Sequence, residues 1–179
     1  VHAHRLLRHL LSEFDREIEA KKVTVATDLQ AGSCYVWADP KRIRQVLMNL
    51  LYNATKCTPE GGQITVRTMK PYEGRLRIEI ADTGIGIEPE VLERLFRPFE
   101  QGERTINRRY GGRGLGLAIS KGIMDLHGGK LSAQSLGKDQ GATFVLELAT
   151  VPAVAEKHVP PSAPQTGGDA FRILVVEDH

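Results

Sequence analysis

The chain has 179 residues, 41% hydrophobic and 26% charged, with a formal net charge of +2. That suits one globular domain plus additional material, and so small a charge offers no field to recruit nucleic acid or an anionic membrane surface. No apolar run approaches the about 20 residues of a membrane helix, no signal peptide is visible, and Cys34 and Cys57 make no metal-ligand spacing with any histidine, so they read as reduced core or near-core residues of a cytoplasmic protein. Leu7, Leu11, Phe14 and Ile18 then recur at helical spacing, with Leu6 and Leu10 widening the stripe, which predicts one amphipathic helix from about His4 to Lys21. His2, His4 and His9 at its start are read as solvated surface histidines. Val23–Thr27 alternates apolar with polar like a half-buried strand, and Cys34–Ala38 is a second short strand.

Asp39-Pro40 opens the next helix, with Asp as a favoured N-cap and Pro suited to the first helical position. Ile43, Val46, Leu47, Leu50, Leu51 and Ala54 share one face. Asn49, Asn53 and Lys56 gather on the opposite flank, stacked by their i, i+4, i+7 spacing. Two amides and an ammonium in a row can coordinate a cation and neutralise phosphate; an ordinary solvated helix face has the same composition. Thr58-Pro59-Glu60-Gly61-Gly62 ends the helix.

Gln63–Met69 and Leu76–Ile80 alternate cleanly about a turn at Pro71–Gly74, which predicts an antiparallel hairpin. Its second strand runs into Asp82-Thr83-Gly84-Ile85-Gly86-Ile87. A carboxylate at a strand end, followed by glycines that give it room, can accept hydrogen bonds from an amine; a plain turn leaving the sheet reads the same way. Glu90–Phe96 is a short helix broken at Arg97-Pro98-Phe99. Glu100–Tyr110 is polar, carries Arg104, Arg108 and Arg109, and lacks apolar anchors, so a mobile segment is expected.

Tyr110-Gly111-Gly112-Arg113-Gly114-Leu115-Gly116-Leu117 follows, with four glycines in six positions before an apolar helix-forming run. A glycine turn opening into a helix presents unpaired N–H groups and the positive end of the helix dipole, a means of holding phosphate. A flexible surface loop has the same composition, and neither G-x-G-x-x-G nor G-x-x-x-x-G-K-[ST] is present. Leu115–His127 is a helix stopped by Gly128-Gly129. Leu131–Ser135 and Ala142–Leu148 are the last strands of the domain, joined by a turn around Gly137 and Gly141. From Thr150 the composition shifts to proline, glycine and small polar residues, so residues 151–170 read as a linker. Phe171–Val176, ending in Glu177-Asp178, reads as a buried strand opening another domain over residues 171–179. The start at Val1 and the abrupt end at His179 are expected of a piece of a longer protein.

Asn49-Leu50-Leu51-Tyr52-Asn53-Ala54-Thr55-Lys56, Asp82-Thr83-Gly84-Ile85-Gly86, Leu95-Phe96-Arg97-Pro98-Phe99 and Gly112-Arg113-Gly114-Leu115-Gly116-Leu117 stand in one order. Together they resemble the N, G1, F and G2 boxes of sensor histidine kinases, members of the GHKL ATP-binding superfamily, over residues 4 to 149. Ile173–Asp178 is similar to the first strand and acidic pair of a response-regulator receiver domain, as in a hybrid histidine kinase.

The resemblance implies an α/β two-layer sandwich over residues 1–150, with a mixed, mainly antiparallel sheet faced by helices and ATP under a lid. By matching positions, Asp82 would bind the adenine amino group, and Gly84, Gly86 and Ile87 would shape its pocket. Asn53 would coordinate Mg²⁺ bridging the phosphates, with Asn49 beside it, and Lys56 would contact phosphate. Phe96 and Phe99 would anchor the lid. Gly112, Gly114, Leu115, Gly116 and Leu117 would close over the triphosphate, flanked by the basic Arg108 and Arg109, and Thr143 would lie near adenine through water. Arg113 stands where the family has a small hydroxyl residue. No histidine here is followed by Asp or Glu, so the phosphoacceptor is expected on the protein's own upstream dimerisation domain, with a receiver domain or response regulator downstream. The related ATPases place a glutamate where this chain has Asn49, and an amide cannot take a proton from water at neutral pH. A non-catalytic ATP-binding module is the other reading. A cytoplasmic location is implied, whether or not the parent is membrane-anchored.

Overall fold

The computed structural model describes residues 1–32, 34–98 and 115–152. Its first helical stretch is α1 (Ala3–Glu13) followed by α2 (Asp15–Ala20). The expected apolar stripe crosses both, yet the helix is not continuous. At Phe14 the backbone N–H reaches Leu11 O at 3.0 Å, a tightened turn that redirects the chain. The bend keeps Phe14 in the core with Leu7 and Leu10.

His4 corrects the surface reading. It lies one turn before Leu7 on the same helical face and is 6% exposed. Its Nε2 sits 2.8 Å from Thr68 Oγ1. Burial, then the neighbouring Arg8 and His2, holds its pKa below the ordinary histidine value. His2 instead caps α1, its Nδ1 accepting from Arg5 N–H at 3.3 Å, and His9 stays exposed.

The strands β1 (Thr24–Leu29) and β2 (Tyr35–Val36) come next, the second shorter than expected. α3 (Pro40–Cys57) begins as its sequence requires: Asp39 Oδ1 accepts from Lys41 N–H at 2.7 Å and Arg42 N–H at 3.2 Å. Those bonds hold the Asp39 carboxyl below the usual carboxylate range. Ile43, Val46, Leu47, Leu50, Leu51 and Ala54 are buried, as their spacing predicts. The far end of α3 is closed by another element. Lys21 Nζ donates to the carbonyls of Thr55, Lys56 and Thr58 at 2.6, 3.1 and 2.9 Å. One ammonium thus holds carbonyls that the helix leaves unpaired, and its charge complements the negative end of the dipole.

β3 (Gln63–Met69) and β4 (Arg75–Asp82) form the predicted hairpin. After α4 (Pro89–Leu92), shorter than the expected Glu90–Phe96 helix, and α5 (Gly116–Leu126), the chain adds β5 (Lys130–Gln134) and β6 (Ala142–Val151). Among the described residues six strands make one mixed sheet, ordered β1-β3-β4-β6, with β5 and β2 both pairing to β6. Only β1 with β3 is parallel. β6 runs on through Thr150 and Val151, which pair with Val36 and Tyr35. The sheet therefore continues past the point where the composition shifts. Residues 153–170 of the expected linker and the strand expected at 171–176 lie outside the described residues.

Period two sorts the side chains. Ile64 and Val66 of β3, Leu76, Ile78 and Ile80 of β4, and Phe144, Leu146 and Leu148 of β6 are buried against α1, α3 and α5. The helices cover one face of an open sheet, the expected two-layer α/β arrangement. Asp82 belongs to that inward row, paired with Ile64 on one side and Ala142 on the other.

Replacing Lys21 by Met keeps an unbranched apolar stem, one atom shorter, and removes the donor to three carbonyls. We expect a loss of about 2 kcal/mol in unfolding free energy, read by urea denaturation; an unchanged midpoint would show that the carbonyls are satisfied without it.

Candidate functional site

A cavity of about 410 Å³ opens where the Asp82 end of the sheet meets the C-terminal half of α3. Its volume falls in the range of small-molecule sites. Asp82, Ala142 and Phe144 come from the sheet, Asn53 and Cys57 from α3, and Ile85, Gly86 and Ile87 from the loop after β4. Val91, Leu95 and Leu117 close the apolar side, while Glu88, Lys138 and Asp139 add charge. The lining is apolar around a few polar groups, the pattern that orients a partly polar small molecule.

Asp82 is the buried charge of this cavity, 9% exposed. Its Oδ1 accepts from Gly84 N–H at 2.9 Å. Burial pushes its pKa above the ordinary aspartate value, against the pull of the Gly84 and Ala142 N–H groups. The Cys57 thiol is pushed up as well, by burial first and then by the Asp82 charge. It stays a thiol and acts as a small apolar wall, and neither cysteine is in a disulfide.

The loop after β4 has no slack. Ile85 N–H donates to Cys57 O at 3.3 Å, and Gly84 packs directly on that carbonyl. On the other side the loop meets the β5–β6 turn, where Asp139 N–H donates to Ile85 O at 2.7 Å and Gly141 N–H to Gly84 O at 3.1 Å. Gly86 and Gly141 have φ of +69° and +67°, and a Cβ on either would collide with backbone, at Gly137 O and Asp82 O respectively. Only glycine permits both the angle and the approach.

Among the residues singled out from sequence, Asn53, Asp82, Gly86, Ile87 and Leu117 line this one cavity. Gly84 supports it from behind. Asn49 is placed elsewhere. Its Nδ2 donates to Ser120 Oγ at 3.0 Å, Gly116 lies against its amide, and it lines a separate groove of about 560 Å³ with Met48, Tyr52 and Ile119. Lys56 is half-buried with its ammonium 5.9 Å from the centre of the Tyr52 ring. Phe96 packs against the core, beside the cavity-lining Leu95. Leu115 occupies the N-cap of α5 without a side-chain capping bond.

Thr143 does not itself line this cavity. Ala142 and Phe144 line the cavity, and strand alternation turns Thr143 to the opposite face of β6. Phe99, Arg108, Arg109, Gly112, Arg113 and Gly114 lie outside the described residues. Cys57, Ala142 and Phe144, with Glu88, Val91, Lys138 and Asp139, are lining residues that sequence reasoning passed over. Cys57 was visible one turn beyond Asn53 on the same flank, and Ala142 could be counted back by twos from Leu148.

Folding raises the pKa of Asp82, so this group favours the folded state below its unfolded pKa, and that contribution is lost as pH rises through the raised value. At neutral pH the buried carboxylate therefore costs stability. Asp82→Asn keeps an oxygen for Gly84 N–H and carries no charge. Calorimetry should find a higher Tm for the variant at neutral pH, with the gap closing in acid; a variant less stable than wild type at neutral pH would contradict this.

A family model described as "Histidine kinase-, DNA gyrase B-, and HSP90-like ATPase" matches residues 38–152. The chain is 39% identical over 186 residues to the sensor histidine kinase AruS of Pseudomonas aeruginosa, covering 96% of this chain and 18% of that protein. It is 44% identical over 134 residues to the histidine protein kinase DivJ of Caulobacter vibrioides, covering 74% of this chain and 22% of that one. It thus spans about a fifth of the length of these curated relatives. Among solved structures, the nucleotide-free catalytic domain of histidine kinase ThkA superposes with a TM-score of 0.72 at 29% identity, covering 84% of this chain and 93% of that one. Full-length ShkA in complex with AMPPNP gives 0.73 at 32% identity, covering 86% and 31%. The chain belongs to the histidine kinase-, DNA gyrase B- and HSP90-like ATPase family, as an ATP-binding catalytic domain of the sensor histidine kinase kind.

Proposed function

We propose that this domain binds Mg·ATP in the 410 Å³ cavity and donates the γ-phosphate to a histidine on its parent's own dimerisation domain, in two-component signalling. The observation that carries the reading is Asp82. A carboxylate buried at the end of an apolar row, lining a cavity, is costly to the fold and suited to accept from the exocyclic amine of adenine. The AMPPNP in the similar ShkA structure supports a nucleotide here.

In this reading Gly84, Gly86 and Ile87 hold the loop that shapes the base pocket, and Ala142, Phe144 and Cys57 supply apolar walls for the ring. Leu117 brings the first turn of α5, uncapped by a side chain, to the cavity edge, where its N–H groups suit phosphate. Lys56 adds positive charge from the last turn of α3. Gly112 and Gly114, with Arg108, Arg109 and the Phe96 and Phe99 anchors, are proposed to complete the cover.

Among the described residues no group of three or more His, Cys, Asp and Glu could cage a cation. The amide of Asn53 does line the cavity, a donor set that fits Mg²⁺ keeping waters and phosphate oxygens as its other ligands. Asn53 would hold the ion, which supplies neutralisation of phosphate charge.

Phosphoryl transfer depends mainly on positioning and charge stabilisation, and this domain provides the ATP half of both. Asn49 supplies no carboxylate to activate water, and its amide is held by Ser120. That favours transfer to imidazole over hydrolysis. The complex of ThkA with the response regulator TrrA supports a receiver as the onward partner, and residues 171–179 are proposed as the start of one on the same chain.

Alone, the domain should bind Mg·ATP yet neither label itself nor hydrolyse ATP appreciably. Adding its dimerisation domain should yield an acid-labile, base-stable phosphoramidate, and Asn53→Ala should remove mainly the Mg²⁺-dependent part of binding. Robust hydrolysis by the domain alone would favour an ATPase, and tight binding without any transfer would favour a regulatory module.

A further inference from the structure

We propose that Ser135 is a positioning residue for the base pocket, acting through the loop that follows Asp82; this rests on the nucleotide reading above. Ser135 lies at the end of β5, where it does not line the cavity. Its Oγ accepts from the backbone N–H of Ile87 at 2.9 Å and donates to the carbonyl of Gly141 at 2.6 Å. Gly137 N–H approaches the same oxygen at 3.3 Å. The hydroxyl thus uses its donor and its acceptor sites at once.

Each partner bears on Asp82. Ile87 lines the cavity at the far end of the loop, and Gly141 packs against the Asp82 carbonyl while its N–H holds Gly84 O. Gly137, whose carbonyl faces Gly86, completes the contact. Asp139 N–H to Ile85 O and Gly141 N–H to Gly84 O fasten the start and middle of the loop. Ser135 fastens its end. With both ends tied, the Gly84 N–H that orients the Asp82 carboxylate has one place to be. Alanine leaves Ile87 N–H and Gly141 O without this partner, whereas threonine keeps the hydroxyl.

The test is calorimetric titration of wild type, Ser135→Ala and Ser135→Thr with Mg²⁺ and either AMPPNP or its guanine counterpart. Wild type should prefer adenine. Ser135→Ala should weaken AMPPNP binding by about tenfold, the effect of one lost buried hydrogen bond, and leave the guanine analogue unchanged. Ser135→Thr should return adenine affinity to within about twofold, under half of one such bond. Wild-type affinity in Ser135→Ala, or equal weakening of both analogues, would overturn the positioning role. Absence of nucleotide binding in wild type would instead overturn the functional reading beneath it. Should Ser135→Ala not fold, amide exchange in wild type decides: slow exchange at Ile87 supports the bond, and exchange at the rate of an unbonded loop amide overturns it.

Discussion

Leu76, Ile78, Ile80 and Asp82 share one face of β4, and the last of them carries a charge into the edge of an apolar core. Burying a carboxylate is unfavourable unless hydrogen bonds answer it. Here the backbone N–H groups of Gly84 and Ala142 do so only in part, and the pKa stays raised. Much of the surrounding structure follows from keeping that group in place. Gly84 must turn back onto its side chain, Gly141 must approach its carbonyl, and the end of α3 must lie close enough for Cys57 O to take the Ile85 N–H. The site is built by backbone approaching backbone, which is why glycines recur in it.

α3 serves two directions at once. Its apolar face anchors the helix layer to the sheet, and its other flank is shared between two neighbours. Asn53 and Cys57 face the cavity, while Asn49 holds the start of α5 through Ser120 and the closely packed Gly116. Lys21 fixes the terminal carbonyls of the same helix from α2's C-cap. The cavity wall is therefore referenced to both ends of the domain, and a shift of α5 would be felt at Asn49 one turn from Asn53.

Much of this was legible without coordinates because it follows from period. The inward row of β4, the apolar face of α3 and the hairpin at Pro71–Gly74 are local patterns, and the Asp82 and Asn53 motifs sit on them. What was not legible depended on contacts across the chain. The bend at Phe14 has no glycine or proline to announce it. His4 is paid for by Thr68, 64 residues away, although its i+3 relation to Leu7 pointed inward. Thr143 is singled out by motif likeness alone, while its alternation with Phe144 gives it the other face of β6. Ser135 meets Gly137 and Gly141 within its own turn, but its bond to Ile87 joins a loop 48 residues away.

In the proposed function the buried carboxylate of Asp82 reads adenine. A crystal structure of this domain with Mg²⁺ and AMPPNP tests it directly. The exocyclic amine of the base should lie within about 3 Å of an Asp82 carboxylate oxygen, with the ring between Ala142, Phe144 and the wall formed by Asn53 and Cys57. A nucleotide bound with its base outside this cavity, or inside it with no contact to Asp82, would show that Asp82 does not read adenine.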